Sequence, residues 1–283
     1  MISYAFFGSD EFSVLVLEEL VRAGYPPSLI ITMPDRPVGR HGELTPPQLK
    51  EWAQERGVLF IQPASFQKSD FQKEVRLPTF DIFIVASYGK IIPESIFSVP
   101  SHGTINVHPS LLPAYRGATP IEGAILNGER SSGVSIMRID KGMDHGPIIA
   151  QKEVPLSGCE WYPELAEKLA REGGILLANV LPKIIDGSAH EIPQDDAQAS
   201  YTKRIQKEDG FIDLQDDPET NFRKIRAYEP WPRTFFKTTH NGKELRVIII
   251  TAHLDHEVLI IDRVTPEGGH EMSYQDFVRG HER

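Results

Sequence analysis

The sequence predicts an α/β fold with a mainly parallel sheet, followed by a small β-rich domain. Short apolar runs recur along the first half of the chain, and stretches with helical spacing separate them. This alternation is typical of βαβ units, in which helices cover the faces of a parallel sheet. The predicted strands are SYAFFG (3–8), SLIITM (28–33), VLFIQ (58–62), FDIFIVAS (80–87), GTINVH (103–108) and GVSIMRI (133–139).

The first strand leads into a predicted helix. The chain turns at Gly8, and Ser9 or Asp10 can cap a helix that ends at Gly24. The positions of this helix that are predicted to face inward are Phe12, Leu15, Val16 and Leu20. The unit is Rossmann-like, but it has one glycine where the dinucleotide fingerprint G-x-G-x-x-G needs three. The sequence therefore excludes an NAD site.

A polar segment divides the chain into two predicted domains. Helical spacing over Glu160–Asp186 is followed by GSAHEIPQDDAQASYTKR, whose Pro, Gly, Ser and Asp content is typical of linkers. We predict a first domain over residues 1–187, a linker over 188–204 and a second domain over 205–283. The strands of the second domain are expected in LRVIIITAH (245–253) and HEVLIIDRVT (256–265).

Composition limits the partners and the location of the protein. The 283 residues carry a net charge of -10, which disfavours an indiscriminate nucleic-acid binder, so an RNA partner requires a local basic patch. The N-terminus lacks the pattern of a signal peptide, and GGILLANVLPKII is too short and polar to span a bilayer. The single cysteine, Cys159, cannot form an internal disulfide. We therefore expect a cytoplasmic protein without a membrane partner.

The segment INVHPSLLPAYRG contains a candidate catalytic pair. Asn106 and His108 lie two positions apart at the end of a predicted strand, so both side chains point to one face. Pro109 should end the strand and leave the pair at the carboxyl edge, where open α/β sheets bind ligands. An amide and a protonated imidazole supply the donors that an oxyanion on an attacked carbonyl group requires.

Asp144 is the candidate third member of this site. A carboxylate close to His108 would favour the charged imidazole and could help to relay a proton. Gly142 and Gly146 predict a tight loop around Asp144. Taken singly, the three residues would instead be interpreted as a turn cap, a core histidine and a solvated loop carboxylate.

The combination N-x-H-P-S-L-L-P-x-Y-R-G, followed by the loop RIDKGMDHGPII, resembles the folate-dependent formyltransferase family. The resemblance implies the formyltransferase fold, catalytic roles for Asn106, His108 and Asp144, and 10-formyltetrahydrofolate as formyl donor, with no metal. It also implies a donor pocket that uses the S-L-L-P turn and the segment ASYGKIIP. The implied donor-binding residues are Ser110, Leu111, Leu112, Pro113, Ala86, Tyr88, Gly89, Ile91 and Asp140. A rigid apolar turn suits a flat pterin ring, and the alternative is that these prolines only shape a loop.

Four further stretches resemble the members of this family that formylate initiator methionyl-tRNA. They are FFGSDEFSVLVLEEL, ITMPDRPVGRHGELTPPQLKEWA, GATPIEGAILNGERSSGVSIMRIDKGMDHGPIIAQ and RAYEPWPRTFF. A nucleotide-linked amino sugar is the alternative acceptor, and a folate-binding or RNA-binding protein without turnover is the alternative class. Glycinamide-ribotide formyltransferase is disfavoured because acidic residues follow the first strand, where that enzyme binds a phosphate. Formyltetrahydrofolate deformylase is disfavoured because we expect no additional domain before residue 2.

The resemblance implies that RNA contacts come from the PDRPxGR loop and from the second domain. In the loop, Arg36 and Arg40 could bind phosphates or stack on unpaired bases, although the loop could also be solvated without a specific role. His41, Gly42 and Glu43 replace the lysines that the family usually has there, which weakens the expected RNA affinity.

The second domain supplies the expected basic patch between residues 222 and 247, with Arg223 and Arg233 as its candidate tRNA contacts. The other basic residues of the patch are Lys224, Arg226, Lys237, Lys243 and Arg246, and the interleaved aromatic residues are Phe222, Tyr228, Trp231, Phe235 and Phe236. These residues could equally form a small core with a solvated face. We expect a shortened β-barrel-like, OB-like domain and a monomeric protein.

Overall fold

The computed structural model describes residues 2–38, 42–66, 80–240 and 242–281. In chain order, its strands and helices are β1 (Tyr4–Phe7), α1 (Glu11–Arg22), β2 (Leu29–Ile31), β3 (Arg36–Val38), β4 (Glu43–Thr45), α2 (Gln48–Glu55), β5 (Phe60–Ile61), β6 (Ile82–Val85), α3 (Glu94–Phe97), β7 (Thr104–His108), β8 (Arg116–Gly117), α4 (Pro120–Leu126), β9 (Ser131–Arg138), β10 (Ile148–Pro155), α5 (Tyr162–Ile185), β11 (Tyr201–Thr202), α6 (Pro218–Ala227), β12 (Phe235–His240), β13 (Lys243–Asp255), β14 (Val258–Pro266), β15 (Met272–Ser273) and α7 (Tyr274–His281). Short 3-10 helices cover Asp196–Gln198 and Lys207–Gly210. None of the helices in these ranges is long and apolar enough to cross a membrane.

The central sheet is mainly parallel, as the sequence predicted. Within the described residues it contains seven strands in the order β10-β9-β7-β6-β1-β2-β5. β1 pairs in parallel with β2 and β6, β2 with β5, and β6 with β7, whereas β9 runs antiparallel to β7. Each of the six predicted apolar runs overlaps one of these strands.

The middle of this sheet is apolar on both faces. All four residues of β1 are fully buried, and the four residues of β6 are buried as well. Phe7, Phe83 and Val85 belong to one apolar cluster on a face of the sheet. Burial on both sides explains why β1 and β6 are continuous apolar runs without alternation.

Helix α1 begins with a side-chain cap and packs on the sheet. The Asp10 carboxylate accepts a hydrogen bond from the backbone N–H of Ser13 at 3.2 Å, which satisfies a donor of the first turn. Of the positions that were predicted to face inward, Leu15 is only partly buried, and Leu17 is buried in its place. The helix ends at Arg22, and Gly24 follows with a φ of +90°.

The strand register brings three loops to one edge of the sheet. Phe7 pairs with Val85, and Val85 pairs with Asn106, so these residues lie level in β1, β6 and β7. The strands are parallel, so the loops that follow them leave the sheet at the same edge. This is the edge at which ligands bind in open α/β sheets.

Helix α5 approaches the sheet through two consecutive glycines. A Cβ at Gly173 would lie 2.7 Å from Val107 Cγ1 and 3.0 Å from Val134 Cγ2. A Cβ at Gly174 would lie 2.6 Å from the Cβ of Glu19 in α1. These distances are shorter than van der Waals contact between carbon atoms. The glycine pair therefore permits close packing of α5 on β7 and α1.

The C-terminal part of the chain forms a small antiparallel sheet, which confirms the predicted β-rich domain. Its strand order within the described residues is β12-β13-β14-β15. β13 pairs antiparallel with β12 and β14, and β14 pairs antiparallel with β15. An apolar cluster with Phe236, Val247, Val264 and Phe277 joins this sheet to α7.

The chain divides into two compact units that are not continuous in sequence. The first comprises Met1–Arg116, Ser132–Val154 and Ala166–Tyr201, and the second comprises Gly117–Ser131, Pro155–Leu165 and Thr202–Arg283. Helix α4 accordingly packs against α6 within the second unit. The division into residues 1–187, 188–204 and 205–283 stays a prediction.

Candidate active site

Strand β7 ends at His108, and its side chains alternate between two environments. Val107 faces α5, where it lies against Gly173. Asn106 and His108 therefore share the opposite face. His108 is buried, and Asn106 is partly exposed. Within the described part of the chain, the Asn106 carboxamide has no hydrogen-bond partner, so its donors and acceptor are available to a ligand.

The imidazole of His108 is oriented from both of its nitrogen atoms. Nε2 lies 3.0 Å from the backbone oxygen of Tyr115, so it carries a proton and donates to that carbonyl. Nδ1 lies 3.7 Å from Oδ2 of Asp144. The side chains are only 5% and 19% exposed, which limits solvent screening of the pair. The structure therefore brings His108 and Asp144 together.

Asp144 lies in a tight loop between β9 and β10 whose backbone leaves little freedom. Its φ is +49°, a left-handed value that is uncommon for a residue with a side chain. Two residues further on, a Cβ at Gly146 would overlap the backbone oxygen of Arg138. This close approach explains why glycine occupies that position.

Asp140, predicted to bind the donor, has its carboxylate engaged within the same loop. Oδ1 accepts a hydrogen bond from the backbone N–H of Gly142 at 2.8 Å, and Oδ2 lies 2.7 Å from Nδ1 of His145. This hydrogen bond and the charge of Asp140 raise the pKa of the His145 imidazole. Asp140 thus stabilises the loop that carries Asp144.

The S-L-L-P turn is fixed by two residues that the sequence did not reveal. The Ser135 hydroxyl donates to the backbone oxygen of Ser110 at 2.6 Å and accepts from the backbone N–H of Leu112 at 3.1 Å. The Gln151 amide donates to the Leu112 oxygen at 2.8 Å and to the Ser135 hydroxyl at 2.9 Å. The Ser110 hydroxyl donates to the Ala114 oxygen at 2.6 Å, and the Leu112–Pro113 peptide is cis.

These contacts make the turn rigid, as its predicted role requires. Leu112 is buried, whereas the Leu111 side chain is partly exposed beside Gly133, where it would meet any added Cβ. Leu111 thus keeps an accessible apolar surface at the turn.

The predicted donor-binding segment after β6 contains both buried and exposed residues. Ala86 is fully buried, and Tyr88 packs against Phe7 with ring centroids 5.5 Å apart. Burial raises the pKa of the Tyr88 phenol, and its hydroxyl group has no partner among the described residues. Gly89 lies beside Met33, and Ile91 is 93% exposed. Ile91 is therefore an apolar surface that a ligand could cover.

Comparison with known sequences assigns the chain to a family. The model of the formyl transferase family matches residues 4–181, more than half of the chain, and that of the formyl transferase C-terminal domain matches residues 204–257. The chain belongs to the formyl transferase family. A methionyl-tRNA formyltransferase of Chloroflexus aggregans is 42% identical to this formyl transferase over 86% of this chain and 78% of its own length.

Two further comparisons cover nearly the whole formyl transferase chain. A methionyl-tRNA formyltransferase of Enterococcus faecalis is 35% identical over 99% of this chain and 96% of its own length. The crystal structure of an N-formyltransferase from Helicobacter canadensis, in complex with folinic acid and dTDP-3-aminofucose, superposes with a TM-score of 0.65. It covers 91% of this chain and 89% of its own, at 22% identity, and so shows a shared fold.

The residues of this formyl transferase that were predicted to contact RNA lie in different environments. Arg36 is exposed in the β3–β4 hairpin, without an ion-pair partner in the described ranges, and Arg40 lies outside those ranges. Arg223 forms an ion pair with Glu219 at 3.1 Å. Arg233 is exposed, with a left-handed φ of +62°.

Other members of the predicted basic patch have structural contacts. The buried Arg226 donates to the backbone oxygen of Glu160 at 2.9 Å, and the Arg246 guanidinium lies 3.6 Å from the centre of the Phe235 ring. Lys237 forms an ion pair with Glu244 at 2.9 Å. Much of the positive charge in this stretch is therefore already engaged, in line with the alternative that these residues support a small core.

Sequence reasoning also missed two polar residues beside the Asp144 loop. Gln194 lies in the segment predicted as a linker, and its amide donates to the backbone oxygen of Asp144 at 2.8 Å. Arg116 is 1% exposed and bonds Gln194. The available signals were weak: a glutamine in a polar segment, and the arginine of the Y-R-G sequence.

Proposed function

We propose that this formyl transferase moves the formyl group of 10-formyltetrahydrofolate to the amino group of methionine on initiator tRNA. The observation that carries the proposal is the His108–Asp144 pair, with atoms 3.7 Å apart, beside the Asn106 carboxamide, which has no hydrogen-bond partner among the described residues. The 42% and 35% identity to methionyl-tRNA formyltransferases supports the choice of acceptor.

The proposed reaction passes through a tetrahedral intermediate. The methionine nitrogen attacks the formyl carbon, and the carbonyl oxygen becomes an oxyanion that is stabilised by the Asn106 carboxamide and by the neighbouring His108 imidazole. The bond between the formyl carbon and N10 of the folate then breaks. The proton lost by the attacking nitrogen passes to the departing N10, with Asp144 assisting the transfer. The chemistry requires no metal.

The donor is proposed to lie between the S-L-L-P turn and the segment after β6. The hydrogen bonds of Ser135 hold the turn in one conformation, which lowers the entropy lost when a rigid pterin ring binds. Leu111 and the exposed Ile91 supply apolar contacts, and the Tyr88 hydroxyl, which has no hydrogen-bond partner in the described part of the chain, adds a polar group at the segment after β6.

The acceptor is proposed to bind through arginines of the hairpin and of the second unit. Burial of the amine and, to a smaller extent, the charge of Arg36 lower the pKa of Lys90, so the positive charges of Arg36 and Lys90 act on one another. Two cations in one region favour a bound anion such as a tRNA phosphate. Replacing Arg36 or Arg233 with Ala should reduce by about one the slope of log affinity against log salt.

The test measures formyl transfer by the purified protein from 10-formyltetrahydrofolate to charged initiator tRNA. Charged elongator tRNA and nucleotide-linked amino sugars serve as parallel acceptors. Asn106→Ala and His108→Ala should each lower kcat by about 100- to 1,000-fold, the effect of removing one oxyanion donor. The exposed His253–Asp262 pair, with atoms 2.9 Å apart, offers the matched control His253→Ala, which should retain activity.

Each result of this assay has a defined meaning. Selective formylation of initiator tRNA supports the proposal, and transfer only to an amino sugar would replace the acceptor while leaving the chemistry intact. Turnover that survives His108→Ala would refute the assigned site. We further propose that the protein is cytoplasmic and monomeric. Light scattering of the free protein and of its tRNA complex would check the monomeric state.

A further inference from the structure

The polar segment that precedes β11 contacts the loop that carries Asp144. Nε2 of Gln194 donates to the backbone oxygens of Asp144 and Gly146, each at 2.8 Å. These two carbonyl groups flank the tight turn of the loop. The Gln194 side chain thus bridges the backbone on both sides of His145, and one of the two bonded residues, Asp144, has a left-handed backbone conformation.

Gln194 is itself fixed by a buried cation. Its Oε1 accepts hydrogen bonds from Nε and Nη2 of Arg116 at 3.0 and 2.8 Å. Arg116 also forms an ion pair with Asp196 at 2.9 Å and a hydrogen bond with the Tyr201 hydroxyl at 3.1 Å. Because a guanidinium only donates hydrogen bonds, Arg116 holds the Gln194 amide with the amide oxygen toward the guanidinium and the amide nitrogen toward the loop.

The same segment also reaches the other member of the pair. The Ser200 hydroxyl accepts a hydrogen bond from the backbone N–H of Tyr115 at 2.8 Å. The backbone oxygen of Ser200 accepts one from the backbone N–H of Arg116, also at 2.8 Å. Tyr115 in turn presents its carbonyl to Nε2 of His108 at 3.0 Å. Residues 194–200 therefore support His108 through Tyr115 and Asp144 through Gln194.

We propose that Gln194 is a positioning residue for the His108–Asp144 pair and that Arg116 orients it. The inference rests on the proposed function for its kinetic consequence. Both amide hydrogens of Gln194 are directed to backbone carbonyls, and its oxygen accepts twice from Arg116. Gln194 therefore has no donor left for a substrate and acts through the loop. A displacement of about 1 Å at a reacting group is enough to lower a rate about 100-fold.

The sharpest perturbation is Gln194→Glu, which keeps the size of the side chain but removes both donors. A carboxylate would still pair with Arg116, yet its second oxygen would face the carbonyls of Asp144 and Gly146 and repel them. Gln198 provides a matched control in the same segment, since its amide bonds only the exposed Asp195 among the described residues, at 2.9 Å. Gln198→Ala should behave as the unaltered protein does.

The first readout is structural and does not depend on the acceptor. Crystal structures of Gln194→Glu and Gln198→Ala should show the Asp144 carboxylate displaced from His108 by about 1 Å in the first variant only. An unchanged distance in Gln194→Glu would overturn the proposal, even if the protein proved to formylate an amino sugar or nothing at all.

The second readout is kinetic. Gln194→Glu should lower kcat by about 10- to 100-fold and change the KM for either substrate by less than about threefold, because the ligand contacts remain. In an Asp144→Asn background the same substitution should have little further effect, since both changes act on one interaction. Additive losses, or a higher KM with unchanged kcat, would reject the positioning role. Inactivity of the unaltered protein on methionyl-tRNA would instead count against the proposed function.

Discussion

Replacing Gly173 with Ala should destabilise the protein, although alanine is the better helix former. In an open helix, Gly→Ala is worth about 1 kcal/mol in favour of folding. At Gly173, however, the added Cβ would lie 2.7 Å from Val107 Cγ1, which is about 1 Å inside ordinary carbon–carbon contact. Overpacking of this kind costs about 1–3 kcal/mol, so the net change is a destabilisation of up to about 2 kcal/mol.

Helix α7 offers the matched control. A Cβ at Gly280 would meet no atom of the described residues within 4 Å, so Gly280→Ala should leave stability unchanged or raise it by up to about 1 kcal/mol. Thermal unfolding separates the two variants, because 1 kcal/mol shifts Tm by about 3 °C in a protein of this size. Val107→Ala should cost less in the Gly173→Ala background, because it removes the methyl groups that clash. Equal stabilisation by Gly173→Ala and Gly280→Ala would refute the steric argument.

Three further predictions concern the S-L-L-P turn, Arg233 of the second unit and the partly buried Glu122. Ser135→Ala removes a partner of the buried Leu112 N–H, so the free energy of unfolding in chemical denaturation should fall by about 1–3 kcal/mol. The KM for 10-formyltetrahydrofolate should rise, and an unchanged KM would show that the turn does not contribute to donor binding. At Arg233, where φ is +62°, the Gly variant should be about 1 kcal/mol more stable than the Ala variant, while both weaken tRNA binding equally; equal stability would contradict backbone strain. Burial raises the pKa of Glu122 from 4.5 to about 7, so this carboxyl favours folding below pH 4.5 and loses that contribution as pH rises to 7. Glu122→Gln should therefore raise Tm at pH 8 and change it little at pH 4, and equal changes at both values would argue against the shift.

The central sheet could be predicted from the sequence because burial on both faces requires apolar residues at every position. β1 and β6 are such runs, and both were predicted. β10, in contrast, contains Gln151, Lys152 and Glu153, and it was missed because its pattern is largely polar. The short β3–β4 hairpin lies in a stretch that the sequence predicts as a loop, because three-residue strands show almost no periodicity.

The catalytic candidates stay a prediction, and the sequence indicates which residues they are but not how they are arranged. Period-two geometry places Asn106 and His108 on one face of β7, whereas the distance from His108 to Asp144 depends on how a distant loop folds back. That path depends on Gln194, whose contacts are with backbone carbonyls and with a buried arginine. When a side chain donates to a backbone carbonyl, the residue that carries the carbonyl can be of any type. Such a hydrogen bond therefore leaves no pattern of spacing in the sequence.

The interleaving of the two compact units has a consequence for folding order. The chain passes from one unit to the other after residues 116, 131, 154, 165 and 201. During synthesis the first unit is incomplete until Tyr201 has been made. By then two segments of the second unit, residues 117–131 and 155–165, have been made without the third. Ile121 and Ile125 of α4 are buried in the finished protein, and this helix packs against α6, which is made nearly 100 residues later. The nascent chain therefore cannot bury this face of α4 against α6 until residues 218–227 have been made.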